Sequence, residues 1–174
     1  QKMLNVPVGL ITANWGGTRI EAWMSKEALE SVQGRNVDYD KKYRGPNSNN
    51  VLYNGMIYPI RNYQVRGTIW YQGESNSDIT EAPYYNEKFC ALIEHMRGTH
   101  NLIQKDFPVF IVELPSIYPK PEGYTGTDDL RWRYIELGMI RAFMGHIPKQ
   151  LNNSYISAGG DVWGNKIYYN GLHP

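Results

Sequence analysis

Residues 67–76 read Gly-Thr-Ile-Trp-Tyr-Gln-Gly-Glu-Ser-Asn, and this stretch decides the class of fold. Its first part is a short apolar and aromatic run that follows a glycine, which is typical of a buried strand. The second glycine and the polar residues after it predict a turn. We therefore predict a strand over residues 67–72 whose carboxyl end carries hydrogen-bonding side chains.

Three further apolar runs predict strands in the same sheet, over residues 6–14, 108–114 and 154–158. The first run is continuous and is followed by Trp15-Gly16-Gly17, which indicates a buried parallel strand. Helices are predicted over residues 84–98 and 131–144. Alternating strands and helices predict an α/β fold with a parallel sheet and helices on its faces.

The composition is that of an ordinary globular protein. The 174 residues suit a single domain, with 41% hydrophobic and 20% charged residues. A net charge of +1 gives no reason to expect nucleic acid or a membrane surface as a partner. No apolar run is long enough to span a bilayer, and no signal peptide is recognised. The chain begins Gln1-Lys2 rather than with Met, so we expect that preceding sequence has been removed.

Neither a metal nor a cofactor is expected. No group of His, Cys, Asp or Glu has metal-ligand spacing, and no glycine-rich phosphate-binding pattern is present. The single cysteine, Cys90, excludes an internal disulfide and lies within a predicted helix.

Residues suited to catalysis gather after the predicted strands, where parallel α/β sheets bind their ligands. Gly16 and Gly17 follow the first strand, Gln72 to Asn76 follow the second, and His173 ends the segment after the fourth. Backbone N–H groups and side-chain amides could stabilise an oxyanion, and a histidine could act as a general base. Each feature also has an ordinary explanation: a tight turn, a polar surface turn and an exposed histidine.

The motifs resemble those of the sialate O-acetylesterases in sequence and in order. They are Val6-Pro-Val-Gly-Leu-Ile, Trp15-Gly-Gly-Thr, Ile20-Glu-Ala-Trp-Met-Ser, Leu52-Tyr-Asn-Gly-Met-Ile, Ile69-Trp-Tyr-Gln-Gly-Glu-Ser-Asn and the closing Leu172-His-Pro. The resemblance implies a flavodoxin-like SGNH hydrolase fold, a three-layer α/β/α sandwich with a parallel sheet. We expect residues 1–174 to form a single esterase domain of this kind, incomplete at both ends.

The resemblance also implies a reaction, the removal of acetyl groups from sugar hydroxyls by a serine mechanism without a metal. Gly16 and Gly17 resemble the block that supplies an oxyanion N–H, and His173 matches the catalytic base. The residues that resemble the block lining the acetyl site are Gln72, Gly73, Glu74 and Asn76.

The chain departs from the family pattern at two points. The family's nucleophile is a serine in a Gly-Gln-Ser-Asn motif before residues 6–14, and no such motif occurs here. Ser75 belongs to a different block and is not expected to replace it. Many SGNH enzymes place an aspartate three residues before the histidine, where this chain has Asn170. The Asn170 amide can hold an imidazole but cannot stabilise its positive charge, so Asn170, Asp161 or a backbone carbonyl could orient His173.

The leading hypothesis is therefore a carbohydrate esterase whose serine is carried by an upstream segment. The alternatives are a xylan or other polysaccharide acetylesterase and a non-catalytic carbohydrate-binding remnant of the same fold. The expected partner is an O-acetylated sugar or glycan. The resemblance implies a periplasmic or secreted location, and the oligomeric state is not predicted.

Overall fold

The computed structural model describes residues 5–32, 43–100, 106–114 and 138–157. In chain order these contain helices α1 (Ile20–Trp23) and α2 (Lys26–Val32), strand β1 (Thr68–Trp70), helix α3 (Tyr85–Thr99), and strands β2 (Val109–Val112) and β3 (Ser154–Ser157). Residues 138–144 are also helical, and a short helix, Ile147–Gln150, leads into β3. No helix among the described residues has the length and apolar character needed to cross a bilayer.

The three strands form a parallel sheet in the order β1-β2-β3. Ile69 of β1 lies opposite Phe110 of β2, which lies opposite Tyr155 of β3. The predicted α/β class and parallel sheet are thus confirmed, as is the parallel pairing of 67–72 with 108–114. Parallel strands need long crossover connections, and α3 lies within the connection between β1 and β2.

Helix α3 packs its predicted apolar face onto the sheet. Tyr85, Phe89 and Leu92 are buried, and the Phe89 ring lies 5.4 Å from the Trp70 ring of β1. Val109 and Ile111, which point to the same side of β2, belong to the same core cluster. The predicted helix over 131–144 is described from residue 138, and its Ile140 and Met144 join that cluster.

The other face of the sheet is exposed. Ile69, Phe110 and Tyr155 stand side by side across the three strands, with exposed fractions of 73%, 48% and 52%. The rings of Phe110 and Tyr155 stack with their centres 5.2 Å apart. The described helices therefore cover the face that carries Val109 and Ile111.

The predicted strand over residues 6–14 is wrong for this structure. Residues 7–15 carry neither helix nor strand, and Leu10 is 85% exposed. A strand needs a neighbour whose backbone groups complete its hydrogen bonds, and none of the three described strands pairs with this segment. An apolar run is therefore not sufficient for a strand when no partner edge is beside it.

A buried cluster of four charged side chains joins α1 to α3. Glu21 of α1 is 1% exposed, and its Oε1 accepts hydrogen bonds from Arg19 Nη2 at 3.0 Å and from Lys88 Nζ of α3 at 2.5 Å. Arg19 Nη2 also donates to Glu81, which is buried as well. Two cations and two carboxylates balance each other, which offsets the cost of taking the charges out of water.

The cluster keeps Glu21 ionised. Burial alone would raise the pKa of its carboxyl group, but the positive charges of Lys88 and Arg19 and the hydrogen bonds from Lys88 and Asn76 outweigh burial. The pKa of Glu21 is therefore below its ordinary value of 4.5.

We expect this carboxylate to make stability depend on pH. Because the folded-state pKa is lower than the unfolded one, the ionised group stabilises the fold above pH 4.5. That stabilisation is lost as the pH falls through the folded-state pKa. Urea unfolding between pH 7 and pH 3 measures it, with Glu21→Gln as the variant and Glu30→Gln, on the exposed side of α2, as the control. The free-energy gap between wild type and Glu21→Gln should shrink at acidic pH. A gap that is constant over this range would contradict the assignment.

Candidate active site

The Gly16-Gly17 turn is held by side chains on both sides of it. Thr18 Oγ1 donates to the Trp15 carbonyl at 2.6 Å, and Asn47 Nδ2 donates to the Gly17 carbonyl at 3.1 Å. Gly17 has a φ of +72°, a conformation that favours glycine. A cluster of local hydrogen bonds thus fixes this turn although residues 7–15 before it form no strand.

The backbone N–H groups of this turn are available to a ligand. Gly16 and Gly17 are exposed, and no protein group in the described part of the chain accepts a hydrogen bond from either N–H. A Cβ added at either position would contact nothing within 4 Å, so the space beside the turn is open. Free N–H groups in a fixed turn are the donor type that an oxyanion site requires.

The second loop begins at the end of β1. Gly73 is buried with a φ of +146°, and a Cβ there would lie 3.1 Å from Leu114 and 3.3 Å from Ile140. Only glycine meets both conditions, which explains this residue. The chain then makes a 3₁₀ turn, Glu74–Asn76, closed by the Asn76 N–H donating to the Gly73 carbonyl at 2.9 Å.

Asn76 joins the two loops. Its side chain is buried at 1% exposure, and its Oδ1 accepts hydrogen bonds from the Ile20 backbone N–H at 2.9 Å and from Gln72 Nε2 at 3.0 Å. Its Nδ2 donates to Glu21 Oε2 at 3.0 Å. The predicted convergence of the first two loops is therefore present in the structure.

The Gln72 amide is fully used within the protein. Its Nε2 donates to the Thr18 carbonyl at 2.9 Å and to Asn76, so both amide hydrogens have protein acceptors. Its Oε1 accepts from the Tyr85 hydroxyl at 2.8 Å, and Trp70 Nε1 donates to that hydroxyl at 3.0 Å. Burial raises the pKa of Tyr85, so the phenol stays protonated and able to donate. In this geometry Gln72 holds the loops together.

Glu74 lies on the outside of the same loop. Its side chain is exposed, and no described residue makes a hydrogen bond or ion pair with its carboxylate. The Ser77 hydroxyl donates only to its backbone carbonyl, at 2.8 Å. The carboxylate is therefore available to hydroxyl groups of a ligand.

Four other residues were singled out from the sequence. His173, Asp161 and Asn170 lie outside the described residues. Ser75 lies in the 3₁₀ turn and is half-buried. Within the described ranges, no three His, Cys, Asp or Glu side chains are grouped as metal ligands.

Sequence reasoning missed Glu21, Lys88 and Tyr85 as parts of this site. Lys88 offered a signal, because it follows Tyr85 by three residues and precedes Leu92 by four on the buried face of α3. A lysine there needs a buried counter-charge. That the counter-charge is Glu21 depends on tertiary packing, which the sequence pattern does not contain.

Comparisons with known proteins identify the family of this chain. The profile of the family described as carbohydrate esterase, sialic acid-specific acetylesterase, matches residues 1–142. The sialate O-acetylesterase of Homo sapiens is 34% identical over 181 residues, which cover 98% of this chain and 33% of the relative. That of Mus musculus is 27% identical and covers 98% of this chain and 37% of the relative.

A solved structure is also similar. A carbohydrate acetylesterase from Xanthomonas citri superposes with a TM-score of 0.67 and 29% identity, covering 90% of this chain and 31% of that one. The chain thus spans about a third of the length of the relatives it matches. The family profile covers both loops that Asn76 joins, and it covers most of the chain. The chain belongs to the sialic acid-specific acetylesterase family of carbohydrate esterases.

Proposed function

We propose that this chain forms part of an esterase that removes O-acetyl groups from sugars by a serine–histidine mechanism. The observation that carries the proposal is the convergence of the two loops: Gln72 and Asn76 bind Thr18 and Ile20, directly after the Gly16-Gly17 turn, whose own N–H groups have no acceptor in the described part of the chain. Family membership supports the same conclusion. Ester hydrolysis requires donors of this kind because the carbonyl oxygen becomes negatively charged.

In the proposed reaction, a serine hydroxyl attacks the acetyl carbonyl carbon while His173 takes the hydroxyl proton. The negative oxygen of the tetrahedral intermediate accepts hydrogen bonds from the Gly16 or Gly17 N–H. When the intermediate collapses, the bond to the sugar oxygen breaks and His173 returns the proton to that oxygen. Water then hydrolyses the acetyl-serine by the same two transfers.

The nucleophilic serine is proposed to lie outside these 174 residues, on a strand that pairs with β1. The free edge of β1 in the described sheet supports this, as do the exposed apolar side chains of residues 6–14. A flavodoxin-like sheet has the strand order 2-1-3-4-5, so its first strand lies between its second and third strands. We propose that the serine-bearing strand is that first strand, that residues 6–14 are the second and that β1 is the third. A serine at the carboxyl end of the serine-bearing strand would face the Gln72–Asn76 loop.

The finer identity of the substrate rests on family membership alone. An O-acetylated sialic acid is the first candidate, because curated relatives are sialate O-acetylesterases. A xylan or other polysaccharide acetyl ester is the second, because a similar solved structure is that of a carbohydrate acetylesterase. Asp161, Asn170 or a backbone carbonyl is proposed to orient His173. The proposed location is periplasmic or secreted.

We expect the 174-residue chain alone to show no acetylesterase turnover above background. Without a nucleophile, an oxyanion site and binding leave only a small residual rate. Hydrolysis of 4-nitrophenyl acetate by the purified chain measures this, with the complete gene product as the positive control. Saturable turnover by the chain that disappears in Ser75→Ala would show that Ser75 is the nucleophile and that the proposal places the serine wrongly.

His173→Ala in the complete enzyme should lower kcat by about 10²–10⁴-fold and leave KM nearly unchanged, because the imidazole acts in proton transfer. Wild-type activity should fall below about pH 6.5, where a protonated imidazole can no longer accept a proton. Initial rates on an acetylated sugar over pH 5–8 test both points. A change confined to KM would make His173 a substrate-binding residue instead.

Glu74→Gln should distinguish sugar substrates from simple esters. The exposed carboxylate has no protein partner among the described residues and is proposed to accept hydrogen bonds from sugar hydroxyls, and a charged acceptor bond contributes about 1.5–3 kcal/mol. We expect kcat/KM to fall about tenfold or more for an acetylated sugar and to stay near wild type for 4-nitrophenyl acetate. Equal losses on both substrates would instead assign Glu74 to holding the loop.

A further inference from the structure

The side chain of Asn76 can satisfy its partners in only one orientation. Its oxygen faces two donors, the Ile20 N–H and the Gln72 amide, and its nitrogen faces an acceptor, Glu21 Oε2. A flipped amide would set N–H groups against both donors and its oxygen against a carboxylate. At 1% exposure, no bulk water could relieve these repulsions.

The two oxygens of Glu21 serve different partners. Oε1 accepts from Arg19 and Lys88, and Oε2 accepts from Asn76. An ionised carboxylate accepts on both oxygens and donates on neither, which matches donors on both sides. Glutamine has one oxygen, so in its place either the two cations or Asn76 would lose their acceptor.

The opposite end of the network is also fixed. The Tyr85 hydroxyl has two acceptors on Gln72, Oε1 at 2.8 Å and the backbone carbonyl at 2.9 Å, and with Oε1 on this side Gln72 Nε2 faces Thr18 and Asn76. The orientation of the Gln72 amide is therefore set by α3 on one side and by Asn76 on the other. Glu21 is the charged group that sets Asn76.

We propose that Glu21 is a positioning residue for acyl transfer: its ionised carboxylate fixes Asn76, which holds the Gly16–Ile20 turn against the Gln72–Asn76 loop. This inference rests on the proposed function. It adds a role for a buried charge that does not touch the substrate. A cluster of buried charges is seldom the most stable way to fill a core, and a requirement for one defined arrangement explains its presence here.

Glu81 offers a matched control. It belongs to the same buried cluster through Arg19, and no hydrogen bond joins it to Asn76. Glu81→Gln therefore removes a buried charge of the same kind without removing the acceptor of Asn76. Both variants are made in the complete enzyme, and kcat and KM are measured on an acetylated sugar beside urea unfolding.

Glu21→Gln should lower kcat by about 10²-fold with KM within about threefold of wild type, because small misplacement of a reacting group costs that much. Glu81→Gln should lose stability and keep kcat within about threefold. Equal losses of kcat in the two variants, or an unchanged kcat in Glu21→Gln, would overturn the proposal. A wild-type enzyme without activity on acetylated sugars would instead contradict the proposed function. The wild-type measurement tests that function, and the variants test the role of Glu21.

A second variant keeps the proposal testable if Glu21→Gln does not fold. The double variant Glu21→Gln with Asn76→Asp exchanges the two side-chain types and leaves the net charge unchanged. The aspartate would accept from Ile20, Gln72 and the new glutamine, so the contact between the two positions is restored. We expect the double variant to fold. If Glu21→Gln also folds, the double variant should have a kcat at least about tenfold higher than that single variant. If Glu21→Gln does not fold, the kcat of the double variant should lie within about tenfold of wild type. A folded double variant without that activity would overturn the proposal.

Discussion

The site depends on one buried side chain, Asn76, and on the hydrogen bonds that it makes in three directions. It bonds to the backbone just after the Gly16-Gly17 turn, to Gln72 at the end of β1, and to the buried carboxylate of Glu21. A buried amide that loses a partner costs about 1–3 kcal/mol, so each of these bonds helps to hold the two loops together. The two loops are therefore connected to each other, to α1 through Glu21 and to α3 through Tyr85.

This arrangement separates the residues that hold the site from those that can meet a substrate. The side chains of Gln72 and Asn76 make their hydrogen bonds to other protein groups. The Gly16-Gly17 turn and the Glu74 side chain, in contrast, are exposed. Preorganised donors stabilise a transition state well because they do not have to reorient during the reaction. The buried hydrogen-bond network of Gln72, Asn76 and Glu21 would keep the exposed donors in one orientation.

The sequence predicted the parts of the fold that depend on local pattern. The strands around 67–72, 108–114 and 154–158, the helix at 84–98 and the parallel sheet are all present. Residues 6–14 have the same apolar pattern as those strands and form none, because pairing depends on a neighbouring edge rather than on the segment itself.

The candidate site was predicted in part. The Gly16-Gly17 turn and the amides Gln72 and Asn76 were predicted as candidate site residues because each follows a predicted strand. In the structure the two loops are joined by hydrogen bonds. The buried charges beneath them were missed, because Glu21 and Lys88 are 67 residues apart and only packing brings them together. The roles of His173, Asp161 and Asn170 stay predictions.

The most direct test of the joined loops is amide hydrogen exchange at Ile20. Its N–H donates to the Asn76 side chain rather than to a backbone carbonyl, so its protection reports this one bond. We predict slow exchange in the 174-residue chain and fast exchange in Asn76→Ala, while the Leu29 N–H, which donates to the Ser25 carbonyl, stays unchanged. Fast exchange of Ile20 in the wild-type chain, or equal rates in both proteins, would contradict the account.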